Sequence, residues 1–326
     1  MSYPHVRLRR LRQSGKMREL LEEVRLSPKD LVCPVFVQEG ATSRVKGESM
    51  PGFERLPIGE VVSEVGAIAD LGIPAVMVFG IPSHKDDAGS SAYARDGIVQ
   101  RAILEIRKGL GQKVAVMSDV CLCQYTSSGH CGLVRGDRID NDSSLEVLAR
   151  VAVSQAEAGT DVVSPSAMMD GQVRAIRQAL DDAGFKDVAI MSHSAKHRSS
   201  LYSPFKDMAH SAPKFGDRKT YQLPYTNPKE AMREVETDIA EGVDIVMIKP
   251  ALAYLDLIAM ARSRFNIPIA AYSVSGEYAL VKAAAMNGWI DEGEVTLEIL
   301  TAIKRAGADM IVTYFSKIAA EALGRR

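Results

Sequence analysis

The sequence predicts an α/β fold, a (β/α)8 TIM barrel with an extended N-terminal arm. Eight short apolar runs rich in β-branched residues alternate with segments of helical periodicity, at 31–37, 75–79, 113–120, 161–165, 188–192, 244–249, 268–275 and 309–315. The runs lack the alternation of a half-solvated sheet, which is typical of parallel strands covered on both faces. No phosphate-binding glycine loop follows the first run, so eight strands favour a barrel over a doubly wound sheet.

Local signals mark where the predicted helices begin and end. Gly159, Gly242 and Gly307 each stand two residues before an aspartate that opens an apolar run. Glycine is favoured there because the position after a helix usually requires a positive φ. Ser143 and Glu146 have the spacing of a capping box, and Asn227 followed by Pro228 predicts a cap residue with proline in the first turn. Apolar stripes at 58, 61, 62, 65 and 68 and at 98, 102, 103, 106 and 110 predict helix faces that cover the barrel.

The chain divides into an arm, residues 1–28, and a catalytic barrel, residues 29–326. The arm contains seven arginines and lysines. In a chain that is neutral as a whole, such an arm packs on a neighbouring subunit or stays solvated more often than it binds nucleic acid. Two long segments, 121–141 and 195–226, follow the third and fifth strands at the carboxyl end of the barrel, where barrel enzymes carry their chemistry.

Composition narrows the classes of function. The 326 residues are 46% hydrophobic, and 40 basic side chains nearly balance 41 acidic ones. This balance favours a small-molecule partner over nucleic acid or a membrane surface. No apolar run approaches the roughly 18 residues of a membrane span, and the opening MSYPHVRLRR lacks the apolar stretch of a secretory signal. We therefore expect a cytoplasmic protein in a reducing compartment, where disulfides are rare.

Two lysines stand at the ends of neighbouring predicted strands. Lys249 ends the run 244–249 and Lys196 follows the run 188–192, so both should lie at the mouth of the barrel. Like charges at short range lower lysine pKa values and leave a neutral amine that attacks a carbonyl to give a Schiff base. Lys249 alone could equally be a snorkelling residue or an ion-pair partner. The pair indicates carbonyl chemistry.

Three of the four cysteines, Cys121, Cys123 and Cys131, fall within eleven residues directly after the third strand. Such clustering in a reducing compartment favours metal binding, and three thiolates leave open the fourth tetrahedral position that a catalytic zinc requires. Two alternatives stay open, namely unliganded thiols and a structural site closed by His130 as the fourth ligand. Cys33, inside the first strand, is most simply a small core residue.

Ordered blocks along the chain carry a more specific resemblance. They are DVCLCQYTSSGHCG, MSHSAK, GDRKTYQ, VMIKP, YSVSGEYA and VTYF, between positions 119 and 315, with RLRRLR in the arm and MPGFERLP after the first strand. These blocks resemble the zinc-cysteine subgroup of the porphobilinogen synthase (5-aminolevulinate dehydratase) family over essentially the whole chain. The resemblance implies a lyase of heme biosynthesis that condenses two 5-aminolevulinate molecules to porphobilinogen with loss of two waters. It also implies a homo-oligomer, usually an octamer.

The resemblance implies a role for each matched residue. Lys249 and Lys196 would each hold one substrate as a Schiff base, and Asp119 would assist proton transfers beside a zinc ion. That zinc would be bound by Cys121, Cys123 and Cys131. The residues implied in substrate binding are Ser275 and Tyr314 for the first carboxylate, Lys206, Arg218 and Gln222 for the second, and Tyr202 and Phe205 in a lid over about residues 197–222.

The sequence departs from the family pattern at three places. Position 206 is lysine where the family usually has arginine, which replaces a bidentate fork by a point charge. The segment 197–204 differs from the usual run of small residues and glycine, and Gln124 replaces a proline after the second cysteine. Two rival functions are a class I aldolase-like lyase, which the second lysine and the cysteines argue against, and a catalytically silent zinc-binding barrel scaffold.

A second metal is predicted outside the active site. Members of the family that respond allosterically to magnesium carry a glutamate at the position of Glu234, fifteen residues before Lys249. Magnesium keeps most of its waters and needs only one or two carboxylates. An exposed glutamate-rich helix is the competing interpretation.

Overall fold

The computed structural model describes residues 2–324 and contains a closed barrel of eight parallel strands. The barrel strands are β1 (Leu31–Gln38), β2 (Ala75–Ile81), β3 (Ala115–Val120), β4 (Val162–Pro165), β5 (Ala189–Lys196), β6 (Ile245–Lys249), β7 (Ile269–Ser273) and β8 (Met310–Thr313). Each strand pairs in parallel with the next, and β8 pairs with β1 through Ile311 and Leu31, which closes the barrel. The predicted (β/α)8 fold is confirmed.

One or two α-helices follow each barrel strand, so that a helical layer encloses the barrel. Within residues 2–324 the α-helices are α1 (Gly15–Leu20), α2 (Val61–Asp70), α3 (Ile98–Leu110), α4 (Asn141–Glu157), α5 (Gln172–Asp182), α6 (Ser203–Met208), α7 (Pro228–Ala240), α8 (Leu255–Arg264), α9 (Ser275–Met286), α10 (Glu292–Ala306) and α11 (Ser316–Gly324). Two short strands, Val45–Lys46 and Glu54–Leu56, follow β1, and a hairpin of Leu133–Arg135 and Arg138–Asp140 follows β3.

The core lies inside the barrel and between the barrel and its helices. All seven residues of β2 and the first seven of β1 are buried, which explains why these runs show no alternation of apolar and polar residues. The apolar stripes predicted for α2 and α3 face this core. The buried stripe residues are Val61, Val65 and Ile68 in α2 and Ile98, Ala102, Ile103 and Ile106 in α3.

The predicted helix ends are confirmed and the predicted helix starts only partly. Gly159, Gly242 and Gly307 have φ values of 100°, 97° and 123°, as the glycine that follows a helix requires. The capping box at Ser143 is wrong, because α4 begins earlier and Asp140 caps it by accepting a hydrogen bond from the Ser143 backbone N–H. Asn227 is the cap residue of α7, with proline in the first turn, but its side chain makes no capping hydrogen bond.

A β-bulge sets the register between β5 and β6. Ser192 pairs with Val246 and Ala195 with Ile248, so two residues of β5 stand opposite the single residue between these partners in β6. The strand β5 therefore runs on to residue 196, beyond the predicted run 188–192, and its last residue pairs with the last residue of β6. Without the extra residue, every side chain after the bulge would change faces.

Two segments extend from the barrel. The arm contains a 3₁₀ turn (Leu8–Arg12) and α1, and neither element has a buried side chain. The long segment after β5 contains a 3₁₀ turn (Ser200–Tyr202) and α6, which lie over the carboxyl end of the barrel. None of the helices within residues 2–324 is long and apolar enough to cross a membrane.

Candidate active site

Two buried lysines stand side by side at the carboxyl end of the barrel. Lys196 ends β5, Lys249 ends β6, and the two are paired across the strands. Only 7% of Lys196 and 8% of Lys249 is exposed. The Lys249 Nζ lies 4.2 Å from the centroid of the Tyr272 ring and 5.2 Å from that of Tyr202, whereas the Lys196 Nζ donates a hydrogen bond to the Ser166 carbonyl. The two amines thus have different surroundings.

The surroundings of Lys249 favour a neutral amine. Burial, followed by the charge of Lys196, lowers the Lys249 pKa to about 7, and the Asp119 carboxylate acts in the opposite direction. Both lowering effects disfavour the ammonium form, because a desolvated charge beside a like charge is costly. Lys249 can therefore act as a nucleophile near neutral pH.

Three cysteine thiols form a compact, fully buried group beside the lysines. The Sγ atoms of Cys121, Cys123 and Cys131 lie within 4.8 Å of one another, and no other group of three or more Cys, His, Asp or Glu ligand atoms in residues 2–324 is as compact. Hydrogen bonds from Cys121 and then Cys123 hold the Cys131 pKa well below its ordinary value. Hydrogen bonds with Cys123 and then Cys131 raise the Cys121 pKa. The group therefore favours one thiolate, which is the form that binds metal ions, beside thiols that keep their protons.

His130 is not a fourth ligand of this group. Its Nε2 lies 3.0 Å from the Phe215 carbonyl oxygen, which can only accept, so Nε2 carries the proton. Its Nδ1 then accepts from the Tyr221 hydroxyl at 3.0 Å. Both ring nitrogens are engaged away from the thiols, and the alternative of a structural site closed by His130 loses its support. The three thiols leave one tetrahedral position open.

Asp119 connects the lysines with the cysteines. Its carboxylate accepts hydrogen bonds from the Ser166 hydroxyl at 2.6 Å and the Gln124 amide at 3.3 Å, while the Gln124 oxygen accepts from the Cys123 thiol at 3.2 Å. Burial raises the Asp119 pKa, against the opposing effect of the Ser166 hydroxyl. A buried carboxyl group with a raised pKa can hold or release a proton during a reaction near neutral pH.

Most of the predicted site residues line one cavity. Phenylalanine and tyrosine rings form its apolar part, and lysine, arginine, carboxyl and hydroxyl groups form its polar part. The predicted residues that line it are Asp119, Cys123, Lys196, Tyr202, Phe205, Arg218, Lys249, Ser275 and Tyr314. The predicted residues that do not line it are Cys121, Cys131, Lys206, Gln222 and Glu234, of which Gln222 and Glu234 line a separate cavity.

The lid is closed over this cavity. The Tyr202 hydroxyl donates to the Lys249 carbonyl at 3.2 Å, and the Phe205 ring contacts the rings of two phenylalanines of the barrel. The Ser275 hydroxyl donates to the Leu201 carbonyl and accepts from the Phe205 backbone N–H. The remaining space is about 20 Å³, enough for one or two waters, so the lid has to move before a substrate can enter.

Two buried hydrogen-bond donors at the end of the lid segment have no protein partner within the described chain. They are the Nε of Arg218 and the Nε2 of Gln222. Other guanidinium donors of Arg218 bind the carbonyls of Gly129 and Ser211 at 3.1 and 2.5 Å, which fixes its orientation. Lys206 is half-buried beside them, and burial and the Arg218 charge lower its pKa. Buried donors without partners cost about 1–3 kcal/mol each, so this group suits an anionic ligand.

Glu234 lies away from the catalytic cavity, on α7. It lines a separate cavity of about 1170 Å³ between α5, α7 and the segment 215–224. Burial, followed by the Asp238 carboxylate, raises the Glu234 pKa to about 7. The other carboxylates that act on it are those of Asp170, Glu230 and Glu241.

Comparison with known proteins identifies the family. Residues 5–322 match the family of delta-aminolevulinic acid dehydratases. The enzymes of that name from Archaeoglobus fulgidus and Bacillus subtilis are each 51% identical to this chain over 321 residues, which cover 98% of it and 99% of the relative. The chain belongs to the delta-aminolevulinic acid dehydratase family.

A solved structure of the family agrees with the fold. The delta-aminolevulinic acid dehydratase (porphobilinogen synthase) from Toxoplasma gondii ME49, in complex with the reaction product porphobilinogen, matches with a TM-score of 0.95 at 41% identity. The match covers 97% of this chain and 91% of that one. The predicted family, fold and enzyme class are therefore confirmed.

Four polar residues of the site were not predicted from the sequence. Ser166 follows β4 and binds both Asp119 and Lys196, and Tyr272 on β7 faces Lys249. Their position at the carboxyl ends of strands was a usable signal. Gln124 was noted only as a departure from the family, although it joins Asp119 to Cys123. His193 also lines the cavity, and its place within the bulge could not be read from the sequence.

The lowered pKa of Lys249 predicts the pH dependence of its reactivity. Reductive methylation with formaldehyde and borohydride should modify Lys249 at a rate that rises from pH 6 to 8 and then levels off, because the neutral amine dominates above its pKa of about 7. Peptide mapping would give the rate at each pH. Lys229, exposed on α7, serves as the comparison site. A Lys249 profile parallel to that of Lys229 would contradict the lowered pKa.

Proposed function

We propose that the chain condenses two 5-aminolevulinate molecules to porphobilinogen through Schiff bases on Lys249 and Lys196, with zinc on Cys121, Cys123 and Cys131. The observation that supports this most strongly is the pairing of two buried lysines across β5 and β6, next to three buried thiols. Two amines can hold two ketone substrates at the same time, on strands about 4.8 Å apart. A lyase acting on one carbonyl would need only one of them.

The lysines act as nucleophiles. The neutral amine of Lys249 attacks the ketone of one substrate, and loss of water leaves an imine. Lys196 does the same with the second substrate. Each imine draws electrons from the neighbouring carbon and makes its protons acidic, and Asp119 lies between the lysines and the cysteines to hold or deliver such protons. Closure of the lid excludes water from both imines.

The carboxylate of each substrate has a matching group of donors. Tyr314 and Ser275 line the catalytic cavity near Lys249 and supply hydroxyl donors for the first carboxylate. Arg218 and Gln222 supply the unpartnered buried donors for the second, with Lys206 as an additional positive charge. Ser275 is bonded to the lid backbone when the lid is closed, so it joins the first group only with a rearrangement of its hydrogen bonds.

The cysteine group fits zinc better than magnesium. Three sulfur ligands and an open fourth position are typical of a catalytic zinc site, whereas magnesium requires oxygen ligands in an octahedral arrangement. The 3.4 Å between the Sγ atoms of Cys121 and Cys123 is close to the separation that two ligands of one tetrahedral zinc need. When bound, zinc supplies a Lewis acid for the carbonyl of the second substrate.

Trapping with borohydride tests the two Schiff bases. Reduction with 5-aminolevulinate bound should attach substrate to Lys249 and, in part, to Lys196, because hydride fixes an imine as a stable amine. Peptide mapping would locate the attached mass, and the exposed Lys229 should carry none. Substrate on neither lysine would contradict the mechanism, and substrate on Lys249 alone would restrict it to one stable imine.

Chelation tests the zinc. A thiol-specific chelator should abolish formation of the pyrrole, and added zinc should restore it, because three thiolates bind zinc far more tightly than magnesium. Cys123→Ala should lose both zinc and activity, with metal content measured by elemental analysis. Cys33→Ala is the matched control, since Cys33 lies in β1 outside the cysteine group. Full turnover by metal-free protein would remove zinc from the mechanism and favour unliganded thiols.

We further propose a magnesium site at Glu234 that stabilises a homo-oligomer, with the octamer as the expected form. The support for this site is that Glu234 lines a large cavity and that four other carboxylates are close enough to raise its pKa. Such a group concentrates negative charge, and a hydrated magnesium ion needs only one or two of these oxygens. The arm, residues 1–28, exposes its arginines and has no buried side chain in its helices, which suits contact with another subunit.

Magnesium should raise both activity and the share of large oligomer. The link requires magnesium to bind the assembled form better than the dissociated one. Because the carboxylate must be ionised to bind, the response should be weaker at pH 6 than at pH 8, below and above the Glu234 pKa of about 7. Light scattering would measure the share of large oligomer, and the rate of turnover would measure the activity, at each pH with and without magnesium. Glu234→Ala should lose the response while Glu236→Ala, an exposed change on the same helix, should keep it; an unchanged response in the first variant would exclude this site.

A further inference from the structure

His193 is a buried histidine in the catalytic cavity with no role in the mechanism above. It lies in the bulge of β5, between the paired residues Ser192 and Ala195, and lines the cavity that contains both lysines. Only 1% of it is exposed. Its ring packs edge-on against Tyr272, with the centroids 6.4 Å apart, and the same tyrosine ring faces the Lys249 amine. His193 therefore lies on the Lys249 side of the cavity floor.

The hydrogen bonds of His193 fix its tautomer. The Ser164 hydroxyl donates its single proton to the Met191 carbonyl at 2.8 Å. The same oxygen lies 3.1 Å from the His193 Nε2 and can only accept there, so Nε2 carries the ring proton. The Nδ1 is left with a lone pair, and this buried atom has no hydrogen-bond partner within the described chain. A proton acceptor is thus held ready in the cavity.

The charges around His193 keep the ring neutral. Burial, then Lys249, then Lys196 hold its pKa well below the ordinary value, and Cys131 acts weakly in the opposite direction. Lys249 affects His193 more than Lys196 does, whereas for Asp119 the order of the two lysines is reversed. The charge of Lys196 thus acts more strongly on Asp119, and that of Lys249 more strongly on His193.

We propose that His193 is a further catalytic residue, whose Nδ1 relays the proton during imine formation at Lys249. The inference rests on the proposed Schiff base at that lysine. Attack of the neutral amine on the substrate ketone forms a C–N bond and leaves a positive nitrogen and a negative oxygen. Nδ1 carries two protons in succession from that nitrogen to that oxygen. The first turns the oxygen into a hydroxyl group, and the second lets the hydroxyl group leave as water when the C=N bond forms, so the histidine ends neutral and no other reactant is consumed.

Two substitutions distinguish the role of the Nδ1 acceptor from that of the Nε2–H group that binds Ser164. In His193→Gln the amide nitrogen can take the place of Nε2 and keep the bond to Ser164, but no acceptor remains at Nδ1. In His193→Asn the side-chain oxygen takes the place of Nδ1 and the bond to Ser164 is lost. The holoenzyme is mixed with 5-aminolevulinate, quenched with borohydride at successive times and mapped for substrate on Lys249. Metal content and melting temperature are measured in parallel, since a merely structural change would alter them.

Removal of the acceptor should slow adduct formation on Lys249 by roughly 100-fold in His193→Gln, the usual effect of losing one acid–base group. Adduct formation in His193→Asn should be equally slow, because an amide oxygen accepts a hydrogen bond but is too weak a base to take the proton. A wild-type rate in either variant would overturn the inference. No adduct on Lys249 in wild type would instead contradict the proposed function itself.

Ser164→Ala provides the test if His193→Gln does not fold. It keeps the imidazole but removes the oxygen that fixes the ring proton on Nε2, so the proton can move to Nδ1 and block the acceptor. Adduct formation on Lys249 should fall several-fold, in proportion to the share of the wrong tautomer. An unchanged rate in this variant would overturn the relay.

Discussion

The site depends on the register that the bulge in β5 imposes. The extra residue between Ser192 and Ala195 turns Lys196 to the same face as Lys249 and places the two opposite each other. A regular strand would have paired Lys249 with alanine and left a single lysine in the cavity. Each of the strands β5 and β6 is hydrogen-bonded to a neighbouring strand on both of its edges. The backbones of the two lysines are therefore held at a fixed separation.

The different surroundings of the two lysines follow from the same register. Lys196 reaches the carbonyl of Ser166, just beyond β4, whereas Lys249 meets aromatic rings. Burial in this water-free pocket disfavours the ammonium form of Lys249, whereas the Lys196 amine is held by its hydrogen bond to a carbonyl. The two amines are therefore not equivalent, although they end adjacent strands.

The sequence predicted those parts of the fold that depend on local patterns. Buried strands, helix stripes and the glycines with positive φ follow from burial and backbone sterics, and they were located within a few residues. The predicted capping box at Ser143 was wrong because the helix begins three residues earlier, where the Asp140 side chain caps it. The bulge was not predictable, since Ser192, His193, Ser194 and Ala195 show no alternation of apolar and polar residues that would favour one register over the other. For the same reason, the position of His193 in the cavity could not be predicted from the sequence.

The closed lid supports the reactive state of Lys249. The backbone N–H of His197 and the hydroxyl of Tyr202 both donate to the Lys249 carbonyl, at 3.0 and 3.2 Å, so the start of the lid is attached to the residue that it covers. Burial is the largest cause of the lowered Lys249 pKa. Opening the lid admits water, and hydration restores the preference for the ammonium form. In the proposed mechanism the amine is thus most nucleophilic when the cavity is closed around a substrate.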